Sequence, residues 1–497
     1  MTWLVAAAAA ISSGVLLALA FIEPGAGLLA SVAFAPLLVV VSRSPRARHA
    51  AAAGALAGAV ANGISCAWLV GTITRFGGFP LPVALLIYAL LIAYTALPLA
   101  LWTGLLRWAG PRAPILLAPL LWLAIESTFP NLFPWRLAYT QRALPALIQS
   151  AEWAGPTLLG GVLIWISAAL ARAWQEPRGL FLPLGLLGLL GMHGTGRIDD
   201  VDRLIRDAPR LRVGLVQGNL TLDEKRHADL FNQNVARYRH LSESFSPAPD
   251  LLIWPETVVE WGLPHGAPRL SAGHDPLPGA TTPLLFGALT WEPTDQGPRW
   301  YNSILLRNPG GDIGGAYDKI VLMPFGEFLP FSETFPWLRD LSPNTGNFAQ
   351  GTAVEPIPVG ANARVGAVVC YEDMLPSLLA DATARGANLL ASLTNDAWYG
   401  DSAALRLHES LALFRAVENR RFLIRSTNTG LTSVIDPVGR ITATLVPWQA
   451  RAQVVEVALL DTPTGYPTYA GPVRILVLVS AAGLLLWCRA NVGRTGS

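Results

Sequence analysis

The sequence predicts a two-part protein: a multi-span α-helical membrane domain and an α/β or α+β domain outside the membrane. Three observations predict it. Hydrophobic residues make up 52% of the 497 residues and charged ones only 14%, against about 25% charged in an ordinary soluble domain. The apolar residues are concentrated in 1–195 and again in 474–488. The stretch between them has ordinary globular composition. The expected domains are a membrane domain over 1–195 with about seven transmembrane helices, an external domain over 196–471 with its core at about 211–460, and a last transmembrane helix with a short tail over 472–497.

A spanning helix needs about 20 apolar residues. By that measure about eight spans are expected, at 3–22, 26–41, 51–71, 80–106, 113–128, 156–174, 179–195 and 472–488. Pro24, Pro80, Pro111 and Pro177 punctuate the connections. Basic residues in short loops set the orientation. If the spans alternate, Arg43, Arg46, Arg48, Arg107, Arg112, Arg172, Arg178, Arg489 and Arg494 fall on one side, and Arg75, Arg136 and Arg142 on the other. That asymmetry predicts cytoplasmic termini and, in a cell with two membranes, a periplasmic external domain. The first span has no basic segment before it, and Glu23 and Pro24 follow it without a small-residue cleavage site. It reads as a retained helix, not a signal peptide.

Composition also excludes function classes. A formal charge of +2 gives no field for nucleic acid. Three cysteines do not make a disulfide scaffold. Without a CxxC or paired-histidine spacing, no metal site is expected. A transporter would show inverted repeats and ionisable residues inside its spans. Glu126 is the main such residue, and it stands near the outer end of its span, where it reads as a capping or headgroup-level group.

In the external domain, β-branched or Leu-rich runs predict strands at 212–217, 250–254, 283–290, 302–306, 364–370, 388–393, 422–426 and 431–435. Helices are expected at 228–244 and 405–420. Reactive residues follow several of these strands. Glu256 follows Ile253-Trp254-Pro255, Cys370 follows Val368-Val369, and Asn395 and Asp396 follow Leu393-Thr394. Sites in open α/β sheets gather at the carboxyl ends of strands, so these loops are expected to meet. A cysteine is a nucleophile when a base or cation favours its thiolate. Glu256 can act as the base, and Lys319 can supply positive charge for a thiolate or an oxyanion. Singly, each has a plainer reading: a core cysteine, a carboxylate at a helix start, a solvated lysine. His408, in an expected helix, reads as a surface or packing residue.

Together these residues carry a resemblance. Trp254-Pro255-Glu256, the run Tyr317-Asp318-Lys319 through Pro324-Phe325-Gly326-Glu327, and Val369-Cys370-Tyr371-Glu372 resemble the Glu–Lys–Cys signature of the nitrilase, or carbon–nitrogen hydrolase, superfamily. Asn395-Asp396-Ala397-Trp398-Tyr399-Gly400 and Arg425-Ser426-Thr427-Asn428-Thr429-Gly430 are similar to motifs of its membrane branch, the apolipoprotein N-acyltransferases. So is Phe133-Pro134-Trp135 with Tyr139 and Gln141. The resemblance covers nearly the whole chain. It departs at Arg226, where the family usually has Trp, at the missing Pro after Asn219, before the helix near His408, and over 464–471.

The resemblance implies a nitrilase-like αββα sandwich outside the membrane and an acyl transfer without cofactor or metal. Cys370 would be the nucleophile, Glu256 the general base and Lys319 the oxyanion-stabilising group. Glu327, Tyr371, Glu372 and Asn302 match supporting positions, as do Asn395 and Trp398. Phe133 and Trp135 match residues near a lipid entrance, and Phe325 and Phe328 lie in an apolar segment, 323–336, that reads equally as a core loop or a lipid-facing lid. The implied partners are a phospholipid acyl donor, a diacylglyceryl lipoprotein acceptor and the bilayer of the bacterial inner membrane, with the protein as a monomer. The rival readings are a membrane-tethered amidase for a small molecule and a transporter or scaffold with a binding domain.

Overall fold

The computed structural model describes residues 2–75, 77–110, 113–295, 297–337 and 346–494. Pro111 and Arg112 lie outside the described residues, as do the side chains of Arg226 and Arg494. The chain divides into two units. One comprises Met1–Gly71, Phe79–Asp199 and Thr464–Ser497, the other Thr72–Gly78 and Asp200–Pro463.

The first unit is helical. Five helices are long and apolar enough to cross a membrane: Trp3–Ile22, Pro24–Arg43, Leu81–Ala109, Pro177–Asp207 and Tyr466–Asn491. A sixth candidate is the pair Ala47–Ser65 and Trp68–Arg75, bent by 58°. The expectation of about eight spans is not confirmed among the described residues, where five helices, or six with the bent pair, are long and apolar enough. The fifth and sixth expected spans are helices of 12 and 16 residues, Leu117–Thr128 and Thr157–Arg172. At 1.5 Å per residue they reach about 18 and 24 Å, short of a hydrocarbon core of about 30 Å. Small residues set the helix packing. A Cβ on Gly54 would lie 2.4 Å from the carbonyl of Leu99, and one on Gly14 would lie 2.6 Å from that of Ala57. Backbones this close need glycine, and in lipid such contacts replace the hydrophobic effect as the source of association. Glu126 is a cap. Its Oε1 accepts from Leu137 N–H at 2.8 Å and from Trp122 Nε1 at 3.1 Å, and its carbonyl accepts from Arg136.

The second unit is built on two sheets. The first holds β1 (Arg210–Gln217), β2 (Leu251–Ile253), β3 (Val259–Pro264), β4 (Leu284–Thr294), β5 (Gly297–Arg307) and β6 (Ile313–Asp318). The second holds β7 (Ile357–Val359), β8 (Ala363–Val369), β9 (Leu389–Thr394), β10 (Leu423–Thr427), β11 (Ser433–Ile435) and β12 (Ile441–Thr444). The last strand, β13 (Arg451–Ala458), returns to the edge of the first sheet, giving the order β13-β1-β2-β4-β5-β6 with β3 beside β4. The second sheet runs β12-β11-β10-β9-β8-β7.

β1, β2 and β4 are parallel, as are β8, β9 and β10. The two sheets stack, with β1 against β10 and β5 against β8. Helix Phe231–Glu243 covers the outer face of the first sheet, and helices Pro376–Ala384 and Ala403–Asn419 cover the second. The result is an αββα sandwich. Under the first helix, Val235 and Tyr238 pack with Val216, Trp254 and Phe286 in a hydrophobic core. Every expected strand is present within a few residues. The strands not foreseen, β3, β6, β7, β12 and β13, include short and edge strands whose burial is uneven or mostly exposed, so their hydrophobic signal is weak.

Candidate active site

The ends of β2, β6, β8 and β9 supply the candidate residues. After β2, Trp254 is fully buried and donates to Ser242 at 2.9 Å, which anchors the turn that follows. Gly287 on β4 lets that turn lie flat on the sheet. A Cβ there would lie 2.4 Å from Thr257 N and 2.6 Å from Glu256 Cα. Behind the turn, Lys225 donates to the carbonyl of Thr257 at 2.6 Å and pairs with Glu260 at 2.9 Å. Thr257 itself takes φ +45°, a left-handed conformation unusual for a β-branched residue. These contacts aim Glu256 inward, where it is 7% exposed.

Glu256 Oε1 accepts from Asn302 Nδ2 at 2.8 Å, while Oε2 has no hydrogen-bond partner among the described residues. Burial pushes the carboxyl above the usual glutamate range. Lys319 pulls it down and Glu327 pushes it up again. A buried carboxylate with one oxygen fixed and one open is placed to take a proton.

Lys319 follows β6 and is 2% exposed. Its Nζ lies 2.7 Å from Glu327 Oε2 and 3.9 Å from Glu256 Oε1. Burial works against its charge, but the two carboxylates hold the ammonium protonated well above the ordinary lysine range. Glu327 also accepts from Asn302 at 3.0 Å and from Met323 N–H at 2.8 Å, which closes the loop between Lys319 and Glu327 onto itself.

Cys370 follows β8 and opens a 3-10 turn, Cys370–Met374. It takes φ +52°, the left-handed region that costs an L-residue roughly 1–2 kcal/mol. Such strain is held only where surrounding contacts fix it. Here the fixing group is Glu372. One of its oxygens accepts from Ile320 and Val321 N–H, both at 2.8 Å; the other accepts from Tyr317 Oη at 2.8 Å and Val369 N–H at 2.9 Å. One carboxylate thus ties the lysine loop to the cysteine turn. Burial pushes the Cys370 thiol up, and Glu256, Asp396 and Glu327 act the same way, opposed chiefly by Lys319. A resting thiol beside a base fits this balance better than a resting thiolate. Tyr371 stands beside them, its hydroxyl also pushed up by burial and drawn down by Lys319.

The structure therefore brings Glu256, Lys319, Cys370, Asn302, Glu327, Tyr371 and Glu372 into one cluster. Asn395 is 2% exposed and accepts from Asn428 at 3.2 Å; its neighbour Asp396 acts electrostatically on Cys370. Trp398 is half-buried, and its carbonyl accepts from Thr72 Oγ1 at 3.1 Å. Phe325 is 64% exposed, Phe331 is 74% exposed, and Phe328 is half-buried. Phe133 and Trp135 belong to the other unit, in an aromatic group with Phe21 and Trp68.

The sequence does not show the buried ionic contacts that Lys225 and His408 make. His408 is not a surface residue: it is 2% exposed and bridges Asp373 and Asp396. The available signal was Arg425, a charge inside a strand whose other positions are buried. Among the described residues, no three His, Cys, Asp or Glu side chains form a group that could hold a metal ion.

The fold and the cluster define a nitrilase-type domain, and residues 212–463 match the carbon–nitrogen hydrolase family. Residues 13–169 match the apolipoprotein N-acyltransferase N-terminal domain. The chain is 34% identical over 498 residues to apolipoprotein N-acyltransferase of Geobacter metallireducens, with 96% of this chain and 94% of that protein covered. It is 34% identical over 460 residues to the enzyme of Azotobacter vinelandii, covering 87% and 86%. Among solved structures it is similar to Saccharomyces cerevisiae Nit3 of the nitrilase superfamily, at 18% identity and TM-score 0.37, covering 54% of this chain and 94% of that one. The chain belongs to the apolipoprotein N-acyltransferase family.

Proposed function

We propose that this protein moves an acyl chain from a membrane phospholipid, through a thioester on Cys370, to the α-amino group of the N-terminal diacylglyceryl-cysteine of a lipoprotein. The observation that carries the reading is the convergence of Glu256, Lys319 and Cys370 in a chain of this family. In the first half-reaction Glu256 Oε2 takes the thiol proton and Cys370 Sγ attacks the ester carbonyl. The C–S bond forms, the ester C–O bond breaks, and the leaving lysophospholipid oxygen takes the proton from Glu256. Lys319 and a backbone N–H of the cysteine turn stabilise the tetrahedral oxyanion; one preorganised donor of this kind contributes about 3–4 kcal/mol. In the second, the amine attacks the thioester. The C–N bond forms and the C–S bond breaks, while Glu256 moves the amine proton to the departing thiolate.

Both substrates are held in the bilayer, since each buried CH₂ is worth roughly 0.8 kcal/mol. An enzyme acting on them belongs at the membrane, which the apolar helices supply. We place both termini in the cytoplasm and the catalytic domain, about 196–471, in the periplasm, from the asymmetry of loop arginines. The 323–336 segment serves as a lipid-facing lid that also keeps water from the thioester. The protein acts as a monomer.

The test is transfer in detergent from labelled phospholipid to a diacylglyceryl lipopeptide with a free α-amine. The reading expects an N-acylated lipopeptide from the native protein and none from Cys370→Ala. Hydrolysis of small amides without transfer would favour a tethered amidase instead.

A further inference from the structure

His408 sits on helix Ala403–Asn419 between two turns. Its Nε2 lies 2.8 Å from Asp373 Oδ1, in the turn that begins with Cys370. Its Nδ1 lies 3.1 Å from Asp396 Oδ1, in the turn Asp396–Tyr399 that contains Trp398. A neutral imidazole has a single N–H, so a ring meeting a carboxylate oxygen at each nitrogen needs both protons. Arg425 on β10 completes the group. Its Nε donates to Asp373 Oδ2 at 3.0 Å, and Nη2 stands 3.8 Å from Asp396 Oδ2. None of the four side chains is more than 1% exposed. Two buried cations face two buried carboxylates, and the charges cancel.

We propose that His408 is a positioning residue: as an imidazolium it ties the cysteine turn to the Trp398 turn, and with Arg425 it offsets the two carboxylates beside the nucleophile. This rests on the reading of Cys370 as the nucleophile. The balance matters because Cys370 already faces carboxylates on several sides. Glu256 after β2, Glu327 in the lysine loop and Asp396 after β9 oppose its ionisation, and Lys319 is the largest charge that favours it. Tyr399 packs edge-on to His408 with ring centroids 6.0 Å apart, and Glu409 acts on Arg425. Removing the imidazolium charge leaves one carboxylate unbalanced near the thiol, which raises the pH at which the thiolate forms.

The test reads the thiol without using lipid. Full-length protein in detergent, with Cys66 and Cys488 replaced by Ala, is alkylated with iodoacetamide across pH, and the label on Cys370 is followed by mass spectrometry. His408→Gln is expected to move the midpoint up by about one pH unit, the scale of one added like charge. His408→Gln with Asp373→Asn removes one charge of each sign and is expected to bring most of the shift back, which a purely structural role would not do. A folded His408→Gln protein with an unmoved midpoint overturns the proposal. Should that variant not fold, Asp373→Asn alone is read: its midpoint must fall, and an unmoved one overturns the proposal equally. The expected shifts in the alkylation midpoint together with no acyl transfer by the native protein would count against the proposed function and leave the role of His408 standing.

Discussion

The ammonium of Lys319 makes its short contact with Glu327, at 2.7 Å, and leaves Glu256 at 3.9 Å. Glu327 therefore anchors the lysine, and Glu256 keeps one oxygen open for a proton. Breaking a buried pair by removing one partner costs about 3–5 kcal/mol. Glu327→Ala is expected to lower the thermal midpoint in detergent and to slow acyl transfer by about two orders of magnitude or more. Glu327→Gln keeps an acceptor for Met323 N–H and should lose less stability. Equal stability of Glu327→Ala and the native protein would remove the anchoring role.

Glu256 must be ionised to act as a base, and burial raises its pKa. Acyl transfer should therefore rise with pH along a limb displaced above the ordinary glutamate range. Asn302 donates to the charged form and holds that pKa down. In Asn302→Leu the limb should move to higher pH, as a rate–pH profile would show. A downward movement would mean that Glu256 is not the titrating base. Glu256→Gln should reduce the rate by about 10²–10⁴-fold, the range of a general base.

Phe325 and Phe331 are exposed, and Phe328 is only half-buried. Exposed positions usually change stability by no more than about 0.5 kcal/mol. Replacing Phe325 and Phe331 by Ser should leave the thermal midpoint nearly unchanged and weaken the use of phospholipid. Phe328→Ser should also cost stability. Parallel loss of folded yield and activity in the Phe325/Phe331 pair would return the segment to a core-loop role.

His408 has its pKa raised from 6.5 to about 9. Burial opposes this, and Asp373 and Asp396 outweigh it. A raised folded-state value contributes stability fully present below about 6.5 and lost as pH climbs through about 9. The difference in thermal midpoint between native protein and His408→Gln should shrink over that interval. Asp373 runs the other way. Against burial, His408 and Arg425 hold it at about 2, so its contribution is present above the usual aspartate range and lost as pH falls through about 2. A gap that widens with pH between 6.5 and 9 would contradict the imidazolium.

Glu126 caps the turn at Leu137 through a single carboxylate oxygen. A cap needs an acceptor, not a charge. Glu126→Gln should keep both stability and transfer. Glu126→Ala leaves the Leu137 N–H without that acceptor and should destabilise by about 1–3 kcal/mol. Loss of transfer in a stable Glu126→Gln protein would point to a charge-dependent role in the membrane unit.

Much of this site was legible because its residues follow strands whose apolar runs are unambiguous. Ile253-Trp254-Pro255 and Val368-Val369 mark two strand ends, and the geometry of parallel sheets brings such ends together. What stayed hidden depends on three-dimensional pairing. His408 and Asp373 are 35 residues apart, and Lys225 and Glu260 also meet only in the fold. A single histidine on a helix carries no sign of the carboxylates it will meet. The count of about eight spans is not confirmed for a related reason: apolar composition over 113–128 looks the same whether the helix is 12 residues long or spans a bilayer.

The decisive measurement is the intact mass of the purified protein after incubation with phospholipid in detergent. A Cys370 thioester adds one acyl mass, absent from Cys370→Ala and discharged by a lipopeptide with a free α-amine. An unmodified mass in an otherwise folded and alkylatable protein, or an adduct that survives Cys370→Ala, would contradict the mechanism.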